Sequence, residues 1–391
     1  MPATADCLIL IYTDPIKDSN TLSIVLSRTL SPMTILKPQH PTHYWHPVEE
    51  GRVQCDVCPH QCKLKERQRG LCYVRGNEAG EVVLYSYGHS SGFCIDPIEK
   101  KPLNHFLPGT PVLSFGTAGC NLSCKFCQNW DMSKSRQMDT LASQATPETL
   151  ANACVKTHCR SIAYTYNDPI IFMEYAIDVA KACSEQNIKS VAVSAGFVMP
   201  APRIEFFQHM DAANIDLKGF SEKFYRKFCG GHLQNVLDTL TYLVHETNCW
   251  VEITNLIIPG ENDNQAELQA MSEWIRDNLN AYVPIHFTAF HPDYKMLQHP
   301  RTPLETLERA RRIALDCGLK HVYTGNVAAI DSGSTYCSHC KQLLIARDQY
   351  QLGRWNLDAH GRCNDCQTPL AGKFEAEPGH WGARRQPLRF T

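Results

Sequence analysis

Three cysteines, Cys120, Cys124 and Cys127, follow the apolar run PVLSFGT with the spacing C-x3-C-x2-C. A four-iron cubane held by four protein thiolates is coordinatively full, which suits it to electron transfer. Three thiolates leave one iron open, and an open metal position is where a substrate can bind. The Gly-, Asn- and Ser-containing loop directly after an apolar run favours such a cluster over structural zinc or over small buried side chains.

Two further cysteine groups have four members each, so each can close a metal site. For the first group, structural zinc and an auxiliary four-iron cluster both remain open, and His60 is an alternative ligand. The second group has the paired C-x2-C spacing of a zinc ribbon, for which tetrahedral zinc is expected and two unrelated cysteine pairs in turns are the alternative. The groups are Cys55, Cys58, Cys62 and Cys72, and Cys337, Cys340, Cys363 and Cys366.

The composition is that of an ordinary globular protein, with 391 residues, 43% hydrophobic and 20% charged residues and a net charge of −2. A charge so close to neutral gives no reason to expect nucleic-acid or membrane partners. No apolar run approaches the ~20 residues that span a bilayer, and the short apolar stretch near the N-terminus lacks the basic leader of a signal peptide. The 19 cysteines fall mostly into metal-ligand spacings, which indicates a reducing compartment and predicts a cytoplasmic location.

Seven strand-like runs alternate with helical segments between residues 111 and 330, which predicts a parallel sheet with right-handed crossovers. Helices are expected to begin at Thr146 and Asn264, and the clearest helix spans 303–317 with Thr302 as its N-cap. Each strand runs into a polar or Gly-containing loop, and these carboxyl ends form the active-site mouth in such folds. The predicted strands are 111–117, 160–166, 188–194, 214–218, 249–258, 284–290 and 320–324.

The chain divides by composition into four regions. Residues 1–42 are rich in Ser, Thr and Pro and are expected to be a weakly ordered extension, within which Met33 is a candidate translation start. Residues 43–110 form a Cys-rich N-terminal subdomain, 111–330 the strand-and-helix domain, and 331–391 a zinc-ribbon-like unit with a tail. We therefore expect one large α/β domain with two small cysteine-rich appendages.

Long strings of the sequence resemble the radical S-adenosylmethionine (SAM) enzyme of the AmmeMemoRadiSam system, a family related to the pyruvate formate-lyase activating enzymes. Phe126 and Asn129, beside the cysteine triplet, also resemble the wider radical SAM superfamily. The resemblance covers residues 43–391 in order, but Asp168 stands where that family usually has Glu. The strings are YWHPVEEGRVQCDVCPHQCKL, GLCYVRGN, DPIEKKPLNHFLPG, SFGTAGCNLSCKFCQNWDMS, YTYNDP, SAGF, DLKGF, EITNLIIPGEND, FHPDYKM and VYTGNV.

The resemblance implies a partial (β/α)6 TIM-like radical SAM barrel with a [4Fe-4S] cluster on Cys120, Cys124 and Cys127. In such enzymes the open iron holds SAM, and an external one-electron reductant drives its cleavage to methionine and a 5′-deoxyadenosyl radical. The radical would abstract hydrogen from an unknown substrate. The relation to the glycyl-radical activases makes a protein or peptide glycine one candidate, and a small molecule is another. The resemblance also implies association with Memo-like and AMMECR-like proteins.

Polar residues at the strand ends are candidates for contacts with SAM, although each has a plain structural alternative as a turn, an ion pair or part of a buried strand. Ser194 suits the ribose hydroxyls, and Gly196 permits a close backbone approach. Asp216 and Lys218 alternate along a strand, so both should face the lumen. The cofactor-binding candidates are Asn167, Asp168, Ser194, Gly196, Asp216, Lys218 and Asn255.

The competing hypothesis is a non-enzymatic iron-sulfur and zinc-binding interaction module. The near-neutral charge and the series of polar strand-end loops argue against that module. A spectroscopic change at the cluster on addition of SAM would separate the two hypotheses. No residue is assigned to the substrate chemistry itself, because the sequence does not identify the substrate.

Overall fold

The computed structural model describes residues 22–24, 40–135 and 143–390. The predicted weakly ordered extension, including Met33, therefore lies largely outside the described residues. Strand Leu22–Ile24 pairs in parallel with a strand near the C-terminus, and strand His40–Pro41 pairs with the N-terminal cysteine-rich region. None of the helices described is both long and apolar enough to cross a membrane.

A ten-stranded sheet forms the centre of the described structure. All seven strands predicted between residues 111 and 330 are confirmed, and they lie side by side in parallel. This is one strand more than in the expected partial (β/α)6 barrel, and no pairing among the described residues joins the two edges of the sheet. The main strands are β1 (Phe93–Pro97), β2 (Pro111–Phe115), β3 (Ser161–Tyr164), β4 (Lys189–Ser194), β5 (Ala212–Asp216), β6 (Trp250–Ile257), β7 (Ile285–Ala289), β8 (Val322–Gly325) and β9 (Gln386–Phe390).

Helices connect the parallel strands and cover one face of the sheet. The predicted caps at Thr146 and Asn264 are confirmed, since their side-chain oxygens accept the backbone N–H groups of Thr149 and Glu267. The main helices are α1 (Pro147–Lys156), α2 (Met173–Ser184), α3 (Pro200–Phe207), α4 (Leu233–Glu246), α5 (Gln265–Asn278) and α6 (Leu304–Asp316).

The predicted N-cap at Thr302 is wrong. Its hydroxyl donates to the backbone carbonyl of Ile257 at 2.6 Å and accepts the N–H of Phe290 at 2.9 Å. The hydroxyl therefore bonds the carboxyl ends of β6 and β7 and does not cap the helix. Helix α6 therefore begins at Leu304, with Pro303 at the N-cap position and no side-chain cap. A buried long-range contact has overridden the local capping signal.

The two faces of the sheet bury different partners. On one face, Leu113 and Ile253 belong to the large core shared with the helices. On the other face, the lumen, small side chains near the amino ends of the strands pack against residues 98–110, the segment between β1 and β2. The sequence assigned this segment to the N-terminal subdomain, and the structure packs it as a plug in the lumen. The packed residues are Val112, Ala163, Val191 and Ala212 of the strands, and Ile98, Leu103 and Phe106 of the plug.

A buried polar network joins the end of the sheet at which the strands begin, their amino ends, to the C-terminal unit. The carboxylate of Glu252 accepts the N–H groups of Asn104 and His105, at 3.0 and 2.7 Å, and lies 2.7 Å from His286 Nε2. Arg347, in the C-terminal unit, donates to the carbonyl of Asn104 at 2.6 Å. Plug, sheet and C-terminal unit are therefore held together at the end opposite to the strand-end loops.

The cysteine-rich regions are built from short antiparallel sheets. In the N-terminal region, one sheet contains Trp45–Val48, Arg52–Cys55 and Lys63–Leu64, and another contains His40–Pro41, Arg75–Glu78 and Glu81–Leu84. In the C-terminal unit, Thr335–Tyr336, Leu343–Asp348 and Gln351–Trp355 form a third. The remaining short elements are the strand pair His89–Ser90 and Ser143–Gln144 and the helical turns Ile98–Lys100, Trp130–Ser133, Pro169–Phe172, Glu222–Phe224, Tyr225–Cys229 and Ile330–Gly333.

Candidate functional site

The cysteine triplet lies in the loop that follows β2, at the carboxyl ends of the parallel strands. Cys124 is buried, and Cys120 and Cys127 are partly buried. A tetrahedral zinc ion, with Zn–S bonds of about 2.3 Å, needs its sulfurs about 3.8 Å apart. In the described part of the chain, the three sulfurs of the triplet do not all lie within 4.8 Å of one another. The three sulfurs are therefore not gathered as the ligands of a single zinc ion would be.

Asn167, after β3, holds the turn that leads into the triplet. Its Nδ2 donates to the carbonyl of Gly119 at 2.9 Å and to Thr117 Oγ1 at 3.2 Å, and its Oδ1 accepts the N–H of Thr117 at 3.2 Å. A Cβ on Gly116 would lie 2.6 Å from this Oδ1, so glycine allows the close approach. The side chain of Asn167, predicted to contact SAM, is thus used to position the cluster loop.

The other end of the loop is tied to two further strand-end loops. Asn129 Nδ2 donates to the carbonyl of Tyr166 at 2.9 Å. The indole of Trp130 stacks on Tyr294 with ring centroids 5.5 Å apart, and its N–H donates to Asp293 at 3.0 Å. The loops after β2, β3 and β7 therefore meet at one mouth, as their positions in the sequence predict.

Cys229 lies beside the triplet, although the sequence-based interpretation assigned it to none of the three cysteine groups. It ends a π-helical turn, and the carbonyls of Phe228 and Cys229 accept the N–H groups of Lys125 and Ser123, both at 2.8 Å. The Cys229 thiol hydrogen-bonds that of Cys124, which lowers the pKa of Cys124 to about 7 despite its burial. The two glycines after Cys229 are the signal of this close approach, since glycine permits the backbone contact.

Two lysines supply positive charge to the triplet. Burial raises the pKa of Cys120 to about 12 and also raises the pKa of Cys127, while Lys134 opposes both shifts. Lys134 Nζ donates to the carbonyl of Leu122 at 2.6 Å, which fixes its charge beside the loop. Lys218 likewise helps to lower the pKa of Cys124. Sequence reasoning did not identify Lys134, because it lies beyond the cysteine motif.

Asp216 and Lys218 form the internal ion pair that was one of their two predicted roles. The Nζ of Lys218 lies 2.8 Å from Asp216 Oδ2, and both side chains are partly shielded from solvent. Burial alone would lower the pKa of Lys218, but Asp216 and then Cys124 raise it well above its ordinary value. Lys218 is therefore a fixed cation between a carboxylate and the cluster loop.

Asp168, Ser194 and Gly196 are brought together as predicted, but they are bonded to one another. The carboxylate of Asp168 accepts the N–H groups of Ile170 and Ala195 at 3.1 and 2.9 Å and the hydroxyl of Ser194 at 3.0 Å. The N–H of Gly196 in turn donates to the Ser194 hydroxyl at 3.0 Å. Burial raises the pKa of Asp168, against these donors. Contacts of the three residues with SAM remain predictions.

Thr254 and Asn255 lie next to each other in β6 but on opposite faces. Thr254 is in register with Asp216 and faces the lumen, whereas Asn255 faces the helices and donates from Nδ2 to the carbonyl of Leu217 at 2.6 Å. The sequence-based list of candidates contained Asn255 and not Thr254. The alternation of the strand makes Thr254 the lumen-facing residue of the two.

Several buried polar atoms on β6 and in the strand-end loops have no hydrogen-bond partner within the described residues. A buried polar atom without a partner costs about 1–3 kcal/mol, so native structures pair such atoms with protein, water or ligand. Their presence here fits a site that receives a polar ligand such as SAM. The atoms that lie in these loops or face the lumen are Gln128 Nε2, Asn129 Oδ1, Thr254 Oγ1 and His291 Nε2.

The two four-cysteine groups differ in geometry. In the C-terminal unit the sulfurs of Cys337 and Cys366 are 3.6 Å apart, those of Cys340 and Cys363 are 3.7 Å apart, and all four lie within 4.8 Å of one another. The N-terminal four instead line one cavity beside the triplet loop. A larger cavity lies at the opposite end of the sheet, away from the cysteine sites.

The chain resembles known proteins over the region that contains this site. Residues 115–275 match the Radical SAM superfamily. The chain is 39% identical over 324 residues to an uncharacterized protein of Methanocaldococcus jannaschii, covering 83% of this chain and 96% of that protein. It is 22% identical over 229 residues to the pyruvate formate-lyase-activating enzyme of Clostridium pasteurianum, covering 55% of this chain and 92% of that enzyme.

A solved domain of a pyruvate-formate lyase-activating enzyme from Bacteroides vulgatus is 18% identical, with a TM-score of 0.38, and the match covers 42% of this chain and 98% of that domain. Members of the matched superfamily use a [4Fe-4S] cluster and SAM, which is the chemistry that a three-thiolate loop at a strand-end mouth can support. The chain therefore belongs to the radical SAM superfamily and is homologous to the pyruvate formate-lyase activating enzymes.

Proposed function

We propose that this protein is a radical SAM enzyme in which Cys120, Cys124 and Cys127 bind a [4Fe-4S] cluster whose open iron receives SAM. The observation that carries the proposal is a loop with three cysteines at the carboxyl ends of a parallel sheet, where this loop and its neighbours hold buried polar atoms without partners among the described residues. When bound and reduced, the cluster would provide the electron that cleaves SAM to methionine and a 5′-deoxyadenosyl radical, and this radical would abstract hydrogen from the substrate.

The chain's own residues position and shield this chemistry. Asn167 and Asn129 hold the two ends of the cysteine loop, so the three thiols keep a fixed arrangement. Lys134 and Lys218 place positive charge beside thiolates that burial would otherwise keep protonated. The plug at residues 98–110 fills the other end of the lumen, which limits the access of water to the site from that side.

The homology leaves two classes of substrate as candidates. Homology to activating enzymes supports hydrogen abstraction from a protein or peptide, and a small molecule is the second candidate. The family strings in the sequence support assignment to the AmmeMemoRadiSam system, with Memo-like and AMMECR-like proteins as partners and an external one-electron donor as reductant. Co-purification with these proteins under anaerobic conditions tests the partner assignment.

The C-terminal unit is assigned a structural zinc ion. Its paired sulfurs, 3.6 and 3.7 Å apart, are close to the separation of about 3.8 Å in a tetrahedral zinc site. All four ligand positions are supplied by Cys337, Cys340, Cys363 and Cys366, so the site is closed. The unit contacts the plug through Arg347, which gives the zinc a role in stabilising the end of the lumen opposite to the mouth.

The proposed activity is tested by anaerobic reconstitution with iron and sulfide, followed by addition of dithionite and SAM. Wild-type protein should form 5′-deoxyadenosine, and Cys124→Ala should form none, because the cluster loses a ligand. Cys159→Ala is the matched control: it also removes a buried thiol, but away from the site, and should retain the activity. Absence of 5′-deoxyadenosine from a fully loaded wild-type cluster would refute the proposal and favour the binding-module alternative.

A further inference from the structure

We propose that Cys55, Cys58, Cys62 and Cys72 bind a second four-iron cluster, not zinc, in contact with the loop of the triplet. All four cysteines line the same cavity. Their loop is closed by backbone hydrogen bonds, from the Cys55 N–H to the carbonyl of Cys62 at 3.0 Å and from the Gln61 N–H to that of Cys58 at 3.1 Å. The thiols are therefore held around a shared space.

The spacing of the sulfurs distinguishes this site from the zinc-like one. The C-terminal sulfurs all lie within 4.8 Å of one another, as a single tetrahedral ion requires. Across residues 40–135 and 143–390, no three of the N-terminal thiol sulfurs lie within that distance of one another. The N-terminal group therefore resembles the triplet, and differs from the C-terminal group, in that its sulfurs are not gathered around a single ion. This arrangement favours a four-iron cluster, which is larger than a zinc ion.

The cavity also supplies four thiolates without the help of histidine. His60 lines the cavity, but its Nε2 lies 2.7 Å from the carbonyl of Asn121 and is used in that hydrogen bond. The carbonyl of Asn121 can only accept, so Nε2 of His60 donates the hydrogen of this bond. A cluster with four cysteine ligands is coordinatively closed, so this second site would not take a substrate.

The wall of the cavity is fixed to the barrel by a buried ion pair. Arg75 lines the cavity and is almost completely buried. Its Nη1 donates to Glu174 of α2 at 2.9 Å, and its Nε donates to the carbonyl of Ile171 at 2.9 Å. The N-terminal site is therefore attached directly to helix α2 and the helical turn before it, and does not belong to an independent appendage.

The two cysteine loops also touch each other. A Cβ on Gly119 would lie 1.9 Å from the carbonyl oxygen of Cys72, so the backbone next to Cys120 packs directly on the N-terminal loop. Asn121 lines the N-terminal cavity and follows Cys120 in the chain. A redox-inert zinc ion would gain nothing from this contact, whereas a closed four-iron cluster is suited to electron transfer.

The role of this contact rests on the proposed function. One electron would pass from the N-terminal site, which is oxidised, to the triplet site, which is reduced. A low-potential one-electron reductant such as dithionite would then restore the N-terminal site. The metal content of the N-terminal site can be tested without any activity of the triplet site, so the two proposals fail separately.

The test uses the full chain, reconstituted anaerobically, with the triple variant Cys120→Ala, Cys124→Ala and Cys127→Ala. Wild type should hold about eight irons and about one zinc per chain, and the triple variant about four irons with matching acid-labile sulfide. Reduction of the variant by dithionite should give the electron paramagnetic resonance signal of a four-iron cluster, although the variant cannot cleave SAM. Cys159→Ala should keep the wild-type metal content.

A triple variant with no iron above background and about two zinc ions per chain would overturn the proposal. If the triple variant does not fold, the wild-type ratio decides, because zinc at the N-terminal site predicts about four irons and two zinc ions. Retention of about four irons by the variant, combined with no SAM cleavage by loaded wild type, would leave the second cluster standing and refute the proposed activity.

Discussion

Single charges beside the triplet set the electrostatics of the site. Lys134 is held by the carbonyl of Leu122, and its positive charge favours the anionic form of all three thiols. Replacement of Lys134 by Met should therefore disfavour the reduced, more negative state of the cluster. Because the side chain is only partly buried, we expect the free energy of reduction to change by on the order of 1 kcal/mol, towards a lower potential.

A redox titration of the reconstituted cluster, followed by electron paramagnetic resonance, measures the effect of Lys134→Met. Lys134→Arg should restore most of the potential, because it keeps the charge. Lys125→Met, on an exposed lysine of the same loop, is the matched control and should leave the potential unchanged. An equal shift of the reduction potential in Lys134→Met and Lys125→Met would show that the effect does not depend on the location of Lys134 beside the thiols.

At the scale of elements, glycine is required where the two cysteine loops cross. Gly119 has φ +83°, and a Cβ there would lie 1.9 Å from the Cys72 carbonyl oxygen. Gly80 has the same φ, but a Cβ there would meet nothing within 4 Å. Gly80→Ala therefore tests backbone strain alone, of about 1 kcal/mol, while Gly119→Ala adds a clash with backbone.

We expect Gly119→Ala to lose most of its iron on reconstitution and Gly80→Ala to keep it. Iron and sulfide analysis, with the midpoint of thermal unfolding, measures both effects. If both variants retain iron equally, the contact between the loops does not organise the cysteine sites. The pair of variants separates this contact from the general effect of a positive φ.

At the scale of the whole molecule, the stability of the folded state depends on a buried carboxyl at the end of the lumen opposite to the mouth. Glu99, in the plug, accepts the N–H of Gly109 at 2.7 Å through Oε1, while its Oε2 has no partner among the described residues. Burial raises the pKa of Glu99 from 4.5 to about 7. The folded state therefore holds this proton more tightly than the unfolded state does.

The contribution of Glu99 to stability is fully present below its unfolded pKa. It decreases as pH rises from the unfolded pKa to the folded pKa, and above the folded pKa there is no further loss. The loss is on the order of 3 kcal/mol. Wild type should unfold at a lower temperature at about pH 8 than at about pH 5.5, and Glu99→Gln should reduce this difference. Glu308→Gln, on an exposed helical position, should keep it. An unchanged pH dependence in Glu99→Gln would contradict the assignment.

The sequence by itself determined the local features of the protein. The seven parallel strands and the caps at Thr146 and Asn264 follow from apolar runs and capping residues within a few positions. The cysteine triplet could also be proposed as a ligand set from the sequence, because its spacing is short and lies in one loop. Each of these features depends mainly on interactions between near neighbours in the chain.

The tertiary structure alone decided which distant residues meet. It placed Cys229 beside Cys124, set Thr254 in the lumen in place of Asn255, and diverted Thr302 from its expected cap to β6. It also spread the N-terminal thiols around a cavity while gathering the C-terminal sulfurs into a tetrahedron-sized group. These outcomes depend on strand order, register and packing between residues far apart in the chain, which local spacing does not encode.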